Sequence, residues 1–245
     1  MTSFKELFAR IRQNLRFSRQ ELGGIVVAIL AAAFIFSFRD WGTDGFNALS
    51  GFINLLLVLL IAAISFFFRL SCQKAYGLAE GHKAEFKVWW TGIVIALVLA
   101  FITNGRLPII LAGTMVASFM VKLRLGEFRY GFSTWSNGII GYWGILGNLI
   151  LALLFALGLY LFPQSYFFHK GLLLNLVMAW CSLIPLPQLD GLNIFFASVK
   201  LYILAIVVTA LSTALLLLQA KWSLILAVVA GLIYALIYLV IGSDK

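Results

Sequence analysis

Charge is scarce in this sequence. Eighteen Lys and Arg and nine Asp and Glu are all that its 245 residues contain, less than half the share usual in soluble globular domains. With 63% of residues hydrophobic and a mean hydropathy of +1.04, that scarcity excludes a water-soluble enzyme and a disordered chain. Cysteine is nearly absent. Cys72 and Cys181 lie within or beside apolar runs and have no C-x-x-C spacing. They read as small buried residues, which excludes a disulfide-rich module. Histidine is limited to His82 and His169. Polar–apolar alternation is missing from the apolar runs, which argues against a β-barrel.

What the chain has in abundance is continuous apolar sequence. About 20 such residues cross a bilayer as a helix, and there is room for six to eight crossings. The fold class expected is therefore all-α, a polytopic transmembrane helix bundle. Spans are predicted at 22–38, 46–68, 88–104, 107–121, 138–161, 171–197, 201–219 and 222–241. The run 107–121 has only 15 residues, so it reads as re-entrant or tilted. The run 171–197 is the least regular, because it contains Pro185, Pro187, Gln188, Asp190, Gly191 and Asn193. Residues 1–21 form a basic segment in which Phe4, Leu7, Phe8, Ile11 and Leu15 recur at helical spacing, as in an interfacial amphipathic helix. That segment is too long for the n-region of a signal peptide, so the first apolar run reads as a retained helix. Residues 22–245 then form a single integral membrane domain.

The net charge of +9 does not point to nucleic acid, because the basic residues sit at the ends of apolar runs, where they set topology. With eight crossings and the N-terminus inside, 14 of the 18 basic residues fall on one side and only Arg39, Arg106, Lys170 and Lys221 on the other. That asymmetry predicts a multi-pass protein of the cell membrane with both termini cytoplasmic.

Polar groups inside hydrocarbon are costly, so they are the first candidates for function. Asp190 follows two prolines that break a helix and precedes a glycine that permits close backbone approach. It reads either as a carboxylate at a broken-helix site lining a protein-enclosed cavity or as a solvated residue of a cytoplasmic loop. Asn148 fits interhelical hydrogen bonding or contact with a bound segment. Gly138, Gly141, Gly144 and Gly147 recur every three residues, a pattern of close helix packing. His82-Lys-Ala-Glu85 is an H-x-x-E fragment whose next residue is Phe86. His82 therefore reads as a solvated loop residue, with no metal expected there.

The segment Ser182-Leu-Ile-Pro-Leu-Pro-Gln-Leu-Asp190-Gly191 resembles the N-x-x-P-x-x-x-L-D-G signature of site-2 proteases, intramembrane zinc metalloproteases that cleave membrane-spanning substrates. Gly144-Ile-Leu-Gly-Asn148-Leu-Ile-Leu-Ala is similar to the family's G-P-x-x-N-x-x-x-A, with Ile145 in place of proline. Phe17-Ser-Arg-Gln-Glu21-Leu-Gly-Gly-Ile25 resembles the segment before the first span of archaeal members. Tyr76-Gly77, followed by Ala84-Glu85-Phe86-Lys87-Val-Trp89, resembles another of their elements. The resemblance covers residues 17 to 205, with a core at about 46–200 and extra apolar spans over 201–241. It implies that Asp190 occupies the position of the third zinc ligand.

The same resemblance locates the family's H-E-x-x-H element, whose histidines hold zinc and whose glutamate activates water. Counting back from Tyr76-Gly77, its slot is Ser65-Phe66-Phe67-Phe68-Arg69. Ser65 and Arg69 stand for the histidines and Phe66 for the glutamate. Serine is a poor zinc ligand, phenylalanine has no base, and arginine keeps its proton. Zinc is expected only if the family chemistry were retained, so no cofactor is expected and no catalytic residue is assigned. Arg69 has two placements open to it: pairing with Asp190 in place of the lost metal, in bidentate fashion, or snorkelling to the interface.

The resemblance thus implies a pseudoprotease embedded in the lipid bilayer. Asn148, Asp190 and Gly191 are its candidates for holding transmembrane segments of client proteins. An active zinc protease with atypical ligands and a transporter or channel built on the broken helix are the alternatives.

Overall fold

Apolar sequence forms helix in a membrane because only intrasegment hydrogen bonds satisfy the backbone there. The computed structural model describes residues 11–41, 46–119, 134–218 and 226. Its elements in chain order are α1 (Arg19–Ser37), α2 (Ala48–Ala79), β1 (His82–Val88), α3 (Trp90–Ile102), β2 (Gly113–Phe119), α4 (Thr134–Leu161), α5 (Tyr166–Leu183), α6 (Asp190–Ala197) and α7 (Val199–Leu218). The chain is an all-α membrane helix bundle, with one small sheet among the described residues. Among the described residues, α1, α2, α4 and α7 are long and apolar enough to cross a membrane. The amphipathic segment before Ile11 and the run 222–241 lie outside the described residues, Leu226 apart.

The helix starts are written locally. Ser18 Oγ accepts from the Glu21 amide at 3.2 Å and the Glu21 carboxylate accepts from the Ser18 amide at 3.3 Å, a capping box that begins α1. Asn47 Oδ1 accepts from the Leu49 and Ser50 amides, both at 3.1 Å, and begins α2. α4 lies at the centre, packed on α2, α5 and α6, while α1 covers the other side of α2. α7 buries Ala205, Thr209 and Leu216 and exposes Val199, Ile203, Val207 and Leu211.

Two predicted spans differ in form. The run 88–104 contains a helix of only 13 residues, about 20 Å long and short of the roughly 30 Å hydrocarbon core. The described part of the run 107–121 is not a helix: it is extended and ends in β2, which pairs antiparallel with β1 from Val88↔Gly113 to His82↔Phe119. Pro108 disfavours helix at Leu107, and Gly113 has φ +145, which L side chains rarely adopt. A Cβ at Gly113 would also collide with the Lys87 carbonyl oxygen. Non-helical backbone at this depth is tolerable only inside protein. Accordingly Ile110, Leu111, Ala112, Thr114 and Met115 are buried, the Trp89 amide donates to the Ala112 carbonyl at 2.8 Å, and the Ile110 amide donates to Cys181 Sγ at 3.4 Å.

His82 is also placed differently from its reading as a solvated loop residue. It is the first residue of β1 and is buried, and that burial lowers its pKa below the usual 6.5.

Candidate functional site

The inner face of α2 repeats at three- and four-residue spacing: Ile61, Ala62, Ser65, Phe66, Arg69, Leu70 and Gln73 are all buried. Ser65, Phe66 and Arg69 therefore face the bundle interior, while Phe67 in the same turn is exposed. Opposite it, α5 ends at Leu183, Pro185 and Pro187 interrupt the helix, and α6 restarts at Asp190. Gly191 makes that restart possible, because a Cβ there would collide with the Leu183 carbonyl oxygen.

The Asp190 carboxylate is the junction of three elements. It is 1% exposed. Oδ2 accepts from Arg69 Nη2 at 2.7 Å and from Gln73 Nε2 at 2.9 Å. Oδ1 accepts from Thr114 Oγ1 at 2.5 Å and from the Met115 amide at 3.4 Å. Asn193 Nδ2 in turn donates to Thr114 Oγ1 at 3.2 Å. Asp190 thus ties α2, β2 and the first turn of α6 together, and its negative charge also suits that helix start. Of the two placements open to Arg69, it takes the one toward Asp190, through a single nitrogen, with Oδ1 held by β2.

The glycine ridge of α4 lets these elements approach. A Cβ at Gly141 would lie 3.2 Å from Asp190 Cβ, one at Gly144 would lie 2.5 Å from Gln73 Nε2, and one at Gly147 would lie 3.3 Å from Arg69 Cα. Asn148, next along α4, is fully buried. Neither polar atom of its side chain has a hydrogen-bond partner among the described residues. Ser65 Oγ accepts from Asn175 Nδ2 at 2.9 Å, and Phe66 is packed in the core. Arg69 Nε, Gln73 Oε1 and Asn175 Oδ1 are also buried without partners among the described residues. Groups of this kind in a protein interior commonly bind ordered water.

The residues around Asp190 do not fit a zinc ion. Its two oxygens face donors, and the Arg69 guanidinium stands as a fixed cation where a metal would have to approach. No group of three or more His, Cys, Asp or Glu comes together among the described residues. His82 is five register positions from Thr114, about 17 Å along the strand, and His169 is exposed on α5.

Gln73 was not singled out by the sequence, although it lies one turn beyond Arg69 on the same face. Thr114 lies in the run 107–121, which reads from sequence as a re-entrant or tilted span. A second buried ion pair was missed too: Lys74 Nζ lies 2.9 Å from Glu21 Oε2, with side chains 4% and 1% exposed. Lys74 also donates to the Arg16 carbonyl at 3.0 Å and sits 4.5 Å from the Phe17 ring centre. Glu21 Oε1 accepts from the Phe86 amide at 2.9 Å. This pair locks the start of α1 to α2 and β1.

No family model matches the chain, and no solved structure matches it. Among curated proteins, the chain is 26% identical over 181 residues to "Putative zinc metalloprotease MJ0611" of Methanocaldococcus jannaschii, covering 72% of this chain and 83% of that protein.

Proposed function

We propose that this chain is a site-2-protease-like membrane protein that has lost catalysis, an internal salt bridge standing where the family holds its metal. The observation that carries this reading is the Arg69–Asp190 contact of 2.7 Å inside the bundle. A carboxylate whose lone pairs are directed to an arginine, a glutamine, a threonine and a backbone amide has little capacity left for a metal. Ser65 and Phe66, one turn earlier, bring neither a nitrogen ligand nor a base. The likeness to a protein named as a zinc metalloprotease, over 72% of the chain, supports the common ancestry that the reading requires.

The function left to such a scaffold is to hold a client's transmembrane segment without cutting it; Asn148, Asp190 and Gly191 are buried inside the bundle, so their part is to support the holding surface from within. No cofactor enters this reading, and nucleic acid is not a partner. The reading puts both termini on the cytoplasmic side, from the charge asymmetry of the sequence. In support, Arg39, Arg106 and Lys170 gather at one end of the bundle, while Lys74 lies with the start of α1 at the other.

The test is reconstitution of the full chain in vesicles with a fluorescent single-span model helix and excess zinc. The reading expects helix binding, measured by energy transfer, with no cleavage and no stoichiometric zinc after dialysis. Cleavage that disappears in Asp190→Asn would return the chain to the proteases, and failure to bind any single-span helix would remove the holding function.

A further inference from the structure

The basic residues at the far end of the bundle do more than mark topology. A cavity of about 380 Å³ opens there between the end of α1, the loop after α3 and the start of α5. Its polar lining is Arg39, Asp40, Arg106 and Lys170. Asp40 is already neutralised: its carboxylate lies 2.6 Å from Lys170 Nζ and accepts from Tyr166 Oη at 2.6 Å. Arg39 and Arg106 line the same cavity, and neither has an acidic partner among the described residues. The remaining walls include Ile35, Phe36, Leu173 and Val177, apolar side chains of α1 and α5.

The loop builds this arrangement. Asn104 and Gly105 both have left-handed backbone, φ +50 and +67, and the Gly105 amide donates to the Ala100 carbonyl at 2.7 Å. A Cβ at Gly105 would come within 2.9 Å of Arg39 Cγ, so the glycine lets the loop lie on the Arg39 stem and brings Arg106 to the same opening.

We propose that this cavity binds the phosphodiester headgroup of an anionic membrane lipid. Arginine presents a planar fork of donors that matches phosphate oxygens, and anionic headgroups lie at the depth where helix ends carry their cations. The apolar walls select a lipid over free phosphate, because the partly exposed Leu173 and Val177 offer contact to the carbon skeleton of a lipid headgroup and none to a bare phosphate. The site is independent of the pseudoprotease reading, lying at the opposite end of α1 from the Glu21–Lys74 pair.

The experiment is native mass spectrometry of the full chain in neutral detergent, titrated with phosphatidylglycerol, phosphatidylcholine or inorganic phosphate. Wild type is expected to retain one phosphatidylglycerol with roughly tenfold or greater preference over phosphatidylcholine. Arg39→Gln with Arg106→Gln is expected to lower that affinity by about tenfold for each guanidinium–phosphate hydrogen bond removed. Arg12→Gln, an exposed arginine before α1, leaves it unchanged. Should the double variant melt at a lower temperature, Arg106→Gln alone, in an exposed loop, carries the test with about a tenfold loss. Equal retention of the two lipids, or full retention by the arginine variants, overturns the proposal. Inorganic phosphate binding as tightly as the lipid assigns the cavity to a soluble anion and overturns it as well.

Discussion

Replacing Arg69 with methionine tests whether the salt bridge holds the bundle together. The substitution removes the charge and the Nη2 donor, 2.7 Å from Asp190 Oδ2, while retaining an unbranched stem of similar reach. Asp190 keeps Gln73, Thr114 and the Met115 amide but remains a buried anion. Removing one partner of a buried pair costs about 3–5 kcal/mol, and the three surviving donors hold the expected loss toward the lower end. Asp190→Asn alone strands the arginine instead and is expected to cost a similar amount. The informative variant is the double one. With both charges gone, the asparagine Oδ1 retains Thr114 and the Met115 amide. Gln73, whose Oε1 has no partner among the described residues, can rotate its amide to accept the new Nδ2–H. The double variant should then fall short of the sum of the singles by about 2 kcal/mol, within the range for residues in one network. Unfolding free energy in mixed micelles, measured by steric trapping, reads all four corners of the cycle. Single losses under about 1 kcal/mol, or costs that simply add, would refute the claim that this contact organises the site.

Four other outcomes are expected. Gly144→Ala places a Cβ 2.5 Å from the Gln73 amide nitrogen and should destabilise by about 1–3 kcal/mol, whereas Gly23→Ala, with nothing within 4 Å, should be neutral or gain up to about 1 kcal/mol of helix stability. Lys74→Met should cost about 3 kcal/mol by stranding the Glu21 carboxylate and should accelerate amide exchange at Phe86. Because burial lowers the His82 pKa, the unfolded state takes up the proton first. The stability of β1 is then full above about pH 6.5 and falls as pH drops toward the lower folded value. Hydrogen exchange over residues 82–88 reads that loss, and His82→Gln should flatten it. Glu85→Gln, which removes the exposed Lys83–Glu85 contact of 2.8 Å, should change stability by less than about 1 kcal/mol.

The helices were legible because membrane helices announce themselves by length and hydropathy, which are local properties. The meeting of Arg69 and Asp190, 121 residues apart, could be anticipated only by laying the sequence on a family's motif order. The sheet could not be anticipated in the same way. β1 is a charged stretch that reads as loop, β2 is part of an apolar run that reads as helix, and strand pairing depends on a partner elsewhere in the chain. Thr114 went unnoticed together with that strand. Lys74 and Glu21 were missed for another reason: near the end of an apolar run a lysine reads as a topology residue, and nothing local distinguishes a snorkelling lysine from one that bonds inward. Gln73 needed only the four-residue spacing from Arg69, so it was within reach of the sequence.

The four-donor junction at Asp190 also imposes an order on biogenesis. Arg69 and Gln73 leave the ribosome long before their acceptor does. At about 5–20 residues per second, the 121 intervening residues take on the order of 10 s to synthesise. During that interval Arg69 has no carboxylate to pair with, and its guanidinium must be satisfied by snorkelling to the interface or by water. The salt bridge is therefore among the last contacts of the bundle to form, and a chain halted before residue 190 lacks the acceptor that the inner face of α2 meets.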